Sequence, residues 1–185
     1  MRSLDERALI ALLKATGDMD ALGELYRRHI GMVRGYLRSL GTPASKVDDV
    51  AQQSFLTVLL KIGQFRGEST FRTWLFTIAY RHFLQQYRRD TSESEASERL
   101  QQYRGLGDQR EDPDERLEIS NALELLSEEE RSALILCDAY GYTHSEAAAI
   151  TGRPLGTLKS HVQRARTKAQ QILNDAGEGE GEDDE

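Results

Sequence analysis

The stretch THSEAAAITGRPLGTLKSHVQRARTKAQ, Thr143–Gln170, decides the architecture. Thr143-His144-Ser145-Glu146 is a capping box, a hydroxyl cap with a glutamate three residues later. It opens a helix of about two turns, which Thr151-Gly152-Arg153-Pro154 then breaks. A longer helix follows, in which Leu155, Leu158, Val162, Ala165, Ala169 and Ile172 share one face at helical spacing. Ser160, Gln163, Arg164 and Thr167 collect on the opposite face, with Lys159 and Arg166 on its flanks. A short helix, a Gly-containing turn and a longer basic helix form the helix-turn-helix pattern. The apolar back can dock on a core, and the polar front can hydrogen-bond base edges and phosphates. The amides of Gly156 and Thr157 at the helix start add a further place for phosphate. Taken alone, such a helix is equally a solvated basic surface; the preceding helix and turn favour DNA.

This basic helix belongs to an acidic chain of 185 residues with a formal net charge of −7. The charge is divided by block. Residues 1–92 carry 14 Lys/Arg against 9 Asp/Glu, residues 93–130 carry 4 against 13, and residues 131–173 carry 6 against 2. The last twelve residues hold seven acids and no base. Fields act locally through screening, so the two basic blocks point to a polyanion partner. Hydrophobic and charged shares of 38% and 30% fit a globular, non-membrane protein, and no run of eighteen apolar residues occurs. The opening MRSLDERALIALLKATGD reads as a helix of the mature protein and not as a signal peptide. Cys137, the single cysteine, excludes an internal disulfide; it is expected to be a buried structural thiol in a cytoplasmic protein.

Helical periodicity runs through the first block. Val47, Val50, Ala51, Phe55, Val58, Leu59 and Ile62 draw one apolar stripe, and Leu75, Ile78, Ala79 and Phe83 another. Gly41-Thr42-Pro43 and FRGEST, Phe65–Thr70, punctuate the helices. In TFRTWLFTIAYRHFLQQYRRD, aromatics alternate with Arg72, Arg81, Arg88 and Arg89, a composition that suits single-stranded nucleic acid. Trp74 and Phe83 are expected in the core, Tyr80 and Tyr87 on the surface, and FRGEST in an exposed loop. Residues 91–115 are polar and acidic and read as a flexible linker, with a transient helix near Glu95–Tyr103. A second capping box, Ser127-Glu128-Glu129-Glu130, opens the second block, and Gly141 ends its helix. Residues 174–185 read as a disordered acidic tail.

The two blocks together resemble a bacterial RNA polymerase sigma factor of the small, two-domain extracytoplasmic-function (ECF) group of the sigma-70 family. The resemblance is carried by ELYRRHIGMVRGYL, DDVAQQSFLTVL, FRGESTFRTWLFTIA, LSEEERSALIL and PLGTLKSHVQRAR, in that order. It implies an all-α chain with a region 2 helical bundle over residues 5–90 and a region 4 helix-turn-helix over 116–173. Core polymerase would be met by Asp48, Asp49, Gln52, Gln53 and Phe55. The loop Phe65, Arg66, Ser69 and Phe71 would capture a flipped base of the minus-10 element. Trp74, Tyr80, Arg81 and Gln85 would complete melting and recognition there. The double-stranded minus-35 element would be read by Arg153, Thr157, Lys159, Ser160, His161, Gln163 and Arg164. The resemblance also implies an anti-sigma partner. Three positions depart from the family pattern: Gln53 replaces an acid, His161 an arginine in the recognition helix, and Arg81 an asparagine.

A helix-turn-helix regulator of the LuxR type would also explain Thr157–Val162 with His161, but leaves Asp48–Trp74 unused. Catalysis finds no constellation: His29, His82, His144 and His161 are scattered, and Asp48 and Asp49 point about 100° apart on a helix. No enzyme activity, cofactor, metal or small-molecule substrate is expected. The acidic tail suggests self-screening, a tethered polyanion competing with DNA for the basic helix.

Overall fold

Residues 4–94, 123 and 125–179 are described by the structure, a computed structural model. The chain divides into two compact units, residues 1–37 with 44–99 and residues 38–43 with 100–185.

The first unit starts with α1, Glu6–Thr16, because Asp5 accepts the Ala8 N–H at 2.7 Å and Gly17, at φ 69°, closes the helix onto the Leu13 carbonyl. α2 spans Met19–Ser39, its start capped by Asp18, whose carboxylate accepts the Ala21 N–H at 2.9 Å. α3 spans Ala44–Lys61 and ends in a single 3-10 turn, Ile62–Gln64. After the exposed stretch 66–70, the Thr70 hydroxyl accepts the Thr73 N–H at 3.1 Å and starts α4, Phe71–Ser94. α3 and α4 run antiparallel. Lys46 Nζ meets Asp90 Oδ1 at 2.5 Å at one end of the pair, and Thr57 Oγ1 meets His82 Nε2 at 2.8 Å further along. Leu25, Val33 and Leu37 of α2 are buried as well, and Tyr36 of α2 stacks flat on Phe76 of α4 with centroids 4.4 Å apart. Each such buried aliphatic side chain contributes about 1.5–3 kcal/mol.

The second unit is opened by Ser127, whose hydroxyl accepts the Glu130 N–H while Glu130 accepts the Ser127 N–H, both at 3.2 Å. α5, Glu128–Leu134, widens into a π turn, Ile135–Ala139, before Gly141 reverses the chain at φ 69°. The Thr143–Glu146 capping box starts α6, His144–Thr151, and Gly152 at φ 70° ends it. α7, Leu155–Gly179, packs Leu158, Val162 and Ala165 onto Ala133, Leu136, Ala147 and Ile150. Leu155, placed by its spacing on the same apolar face, is 41% exposed because it stands at the helix tip beyond that packing.

Two expected boundaries shift. α4 continues to Ser94, past the residue 91 where the linker was expected to begin, while 95–115 and the transient helix at 95–103 lie outside the described residues. α7 continues through residues 174–179, which were expected to be tail; no proline interrupts it there, and residues 180–185 lie outside the described residues.

Candidate nucleic-acid and polymerase interface

In the first unit, the exposed side of α3 carries Asp48, Asp49, Gln52 and Gln53. Asp48 accepts from Arg34 Nε of α2 at 2.7 Å, so one of the two carboxylates is already held by a neighbour. Phe55 is only 4% exposed, with its ring edge-on to Tyr26 at 4.8 Å. It supports this side from within and offers no surface of its own. Two residues the sequence reading passed over extend the same side: Leu56 and Leu60, 60% and 82% exposed.

Where α3 gives way to α4, a cleft of about 330 Å³ opens among Thr57, Leu60, Lys61, Gln64, Trp74, Thr77, Ile78, Arg81, His82 and Gln85. Trp74, Arg81 and Gln85 were expected at a binding site. Thr57, Lys61, Gln64, Thr77 and His82 were not, although Thr77, Arg81 and Gln85 repeat every four residues on one helical face. No acid lines the cleft, and Lys61 and Arg81 give it positive charge. Burial, then the charge of Lys61, lowers the His82 pKa, so its ring is neutral at neutral pH beside the Thr57 hydroxyl. Trp74 is half-buried and not the core residue its spacing suggested; its ring lies 5.2 Å from Phe65 and 6.0 Å from Phe71. Arg66 and Ser69 are exposed in the loop, and Phe71 is buried at its end. Tyr80, expected on the surface, is 1% exposed; it faces the bundle beside Phe83, whereas Tyr87 is exposed as expected.

In the second unit, Thr157, Lys159, Ser160, Gln163 and Arg164 are exposed on α7, and Arg153 and His161 are half-buried. The cations are not all free. Glu130, with a side chain only 6% exposed, accepts from Arg164 Nε at 3.3 Å and from Lys168 Nζ at 2.7 Å. Glu129 holds Arg153 at 3.1 Å, and Asp138, on the π turn, takes both Nε and Nη2 of Arg166 at 3.0 and 2.6 Å. The acids of α5 and its continuation therefore preset four basic side chains of the turn and α7. These ties involve partly exposed cations and are each worth about 0–1 kcal/mol, weak enough for phosphate to replace them. Arg164 Nη2 also donates to His161 Nδ1 at 3.0 Å, which requires an unprotonated Nδ1. Burial first, then the charges of Arg164 and Arg153, lowers the His161 pKa, in accord with that neutral ring. Cys137 is half-buried, and burial raises its pKa, as for a structural thiol.

Two matches define the class of protein that this pair of units represents: residues 25–93 match sigma-70 region 2, and residues 116–168 match sigma-70 region 4. The ECF sigma factor EcfG of Rhodopseudomonas palustris is 34% identical over 89% of this chain and 92% of its own length. The sigma factor NccH of Alcaligenes xylosoxydans xylosoxydans is 31% identical over 92% and 95%. Among solved structures, the sigma factor RpoE from Bartonella quintana, crystallised with the anti-sigma factor NepR, superposes with a TM-score of 0.73 at 30% identity, covering 82% of this chain and 96% of that one. CnrH, solved with the cytosolic domain of CnrY, gives 0.68 at 27% identity over 92% and 99%. The chain belongs to the ECF group of RNA polymerase sigma factors and is a transcription initiation factor. A LuxR-type regulator is not favoured, because the region 2 match accounts for α3 and all but the last residue of α4. Among the described residues, no helix is long and apolar enough to cross a membrane.

Proposed function

We propose that the first unit, over residues 5–90, docks on core polymerase through the exposed side of α3 and takes an unstacked minus-10 base into the α3–α4 cleft. The second unit, over 116–173, reads the minus-35 duplex through α7. Asp48, Asp49, Gln52 and Gln53 form the docking patch, with Leu56 and Leu60 as its apolar part and Phe55 as its support. The observation that carries the reading is the cleft itself: acid-free, cationic, walled by Trp74, and of a size to accept one nucleobase. Lys61 and Arg81 supply donors to a base edge or its phosphate, and Trp74 supplies a stacking face. Phe65, Arg66 and Ser69 guide the strand toward it, while Phe71 backs the Phe65 and Trp74 rings and Tyr80 supports α4 from within the bundle. On α7, Thr157, Lys159, Ser160 and Gln163 face the groove, Arg153 and Arg164 contact phosphate or base, and His161 contributes a neutral hydrogen-bonding group. The factor catalyses nothing itself, acts in the cytoplasm, and is held idle by an anti-sigma protein, a reading supported by the complex of RpoE with the anti-sigma factor NepR.

In vitro transcription with core polymerase on a promoter library tests this. Wild type should select a two-part promoter. Arg164→Ala should relax selection in the upstream part, and Arg81→Ala in the downstream part, each by about 1–3 kcal/mol of discrimination. Transcription no greater than that of core alone would overturn it.

A further inference from the structure

α1 lies outside the stretch matched to sigma-70 region 2, which begins at residue 25, yet it is tied directly to the start of the Phe65–Thr70 loop and, through His29 of α2, to Phe71 just beyond its end. At the loop start, Lys14 Nζ donates to the Phe65 carbonyl at 2.8 Å, a bond across 51 residues of sequence. The Phe65 N–H is already committed to the Ile62 carbonyl at 3.1 Å, and its ring leans on Phe71 and Trp74. Both main-chain polar groups and the side chain of Phe65 are thus held. At the loop end, Glu6 Oε2 lies 2.6 Å from His29 Nε2, and the His29 ring meets Phe71 edge-on at 5.2 Å. Between these two ties, Leu9, Ile10 and Leu13 are buried, so α1 is anchored along the side that carries them. The residues from Arg66 to Thr70 are exposed, and Gly67 takes the left-handed conformation at φ 76°. Such a loop has little packing of its own to fix where it begins.

We infer that α1 is a strut for this loop and that Lys14 is its principal positioning residue, holding the Phe65 carbonyl so that the Phe65 ring stays beside Trp74 at the cleft. The inference rests on the reading of cleft and loop as the minus-10 base site. Lys14 touches no base in this scheme; it preorganises Phe65, which guides the strand into the cleft beside Trp74. Without the ammonium group, the Phe65 carbonyl turns to water, the ring leaves Trp74 more often, and capture of the unstacked base pays an ordering cost that the wild type has already met. Docking through α3 and duplex reading through α7 use other helices and are not affected.

The test uses holoenzyme assembled from core polymerase and the full chain, as wild type, Lys14→Met or Lys14→Arg. Promoter opening is followed with 2-aminopurine at the minus-10 position, alongside affinity for core, binding to a minus-35 duplex, and the thermal midpoint. Lys14→Met should reduce opening about three- to tenfold, the scale of one solvent-exposed hydrogen bond, with core affinity and duplex binding changed by less than about twofold. Lys14→Arg should restore opening. Unchanged opening in Lys14→Met, an equal fall in core affinity or thermal midpoint, or no rescue by arginine would each overturn the strut. Trp74→Ala and Arg81→Ala run in parallel: if neither affects opening, the base-site reading itself fails, and if both do while Lys14→Met does not, only the strut fails.

Discussion

Glu130 offers the sharpest test of how the second unit is held together. Its carboxylate is 6% exposed and serves two structures at once, closing the cap of α5 on the Ser127 N–H and gripping Arg164 and Lys168 of α7. In Glu130→Ala the Ser127 N–H loses its acceptor, which costs about 1 kcal/mol. The two cations, 55% and 47% exposed, regain water, so each lost tie costs only about 0.5 kcal/mol. The sum is about 2 kcal/mol, which for a unit of this size lowers the thermal midpoint by about 8–16 °C. Glu130→Gln keeps a carbonyl oxygen for the cap and loses the charge, and should cost about half as much. Burial acts to raise the Glu130 pKa, but the Lys168 bond, the Ser127 N–H, the Lys168 charge and Arg164 outweigh it, so the pKa lies below the ordinary 4.5. A carboxylate depressed in the folded state stabilises fully above its ordinary value and loses that contribution as pH falls through the folded one. Stability should therefore decline below about pH 4.5 in wild type and decline less in Glu130→Gln. Circular dichroism melts across pH measure both effects. A cost for alanine under about 0.5 kcal/mol, or identical acid profiles for wild type and glutamine, would refute the shared-carboxylate argument.

Three further outcomes follow from α7 and its turn. His161→Arg places a permanent charge on the face of α7 proposed to read DNA, and titrations against a minus-35 duplex should show a salt slope steeper by about 0.9. Wild-type duplex binding should be flat between pH 7 and 8, since the His161 pKa already lies below 6.5. Gly152→Ala meets no atom within 4 Å, so its penalty is purely the left-handed backbone at φ 70°, about 1–2 kcal/mol in a denaturation curve. A loss close to zero there would mean that the turn relaxes.

Much of the second unit was legible because its signals are local. The two capping boxes, Gly141, Gly152 and the Leu158–Val162–Ala165 face each depend on neighbours three or four residues apart, and the structure forms them all. What escaped depends on distance along the chain. Glu129 and Glu130 were legible only as part of a cap and Asp138 carried no local signal at all, yet their cations stand 24 to 38 residues away. Tyr80 was misplaced because α4 meets neighbours on more than one side. Its buried arc, from Leu75 and Phe76 through Ile78, Ala79 and Tyr80 to Phe83, is too wide for an aromatic–arginine alternation to divide. The cleft was half legible: Trp74, Arg81 and Gln85 lie on one helix, but Thr57 and Lys61 come from another. The continuation of α7 to Gly179 was masked by glycine-rich acidic composition, which resembles tail even where a helix persists.

The exposed Leu56 and Leu60 on α3 also govern how the isolated protein behaves in solution. Two leucines one turn apart form a strip that water wets poorly, beside a chain whose net charge of −7 supplies the mutual repulsion that keeps copies apart. That repulsion fades toward the isoelectric point near pH 5.2 and is shortened by salt. The strip proposed for docking is therefore where self-association of the free factor would begin, and a mildly alkaline, low-salt buffer is the condition that restrains it.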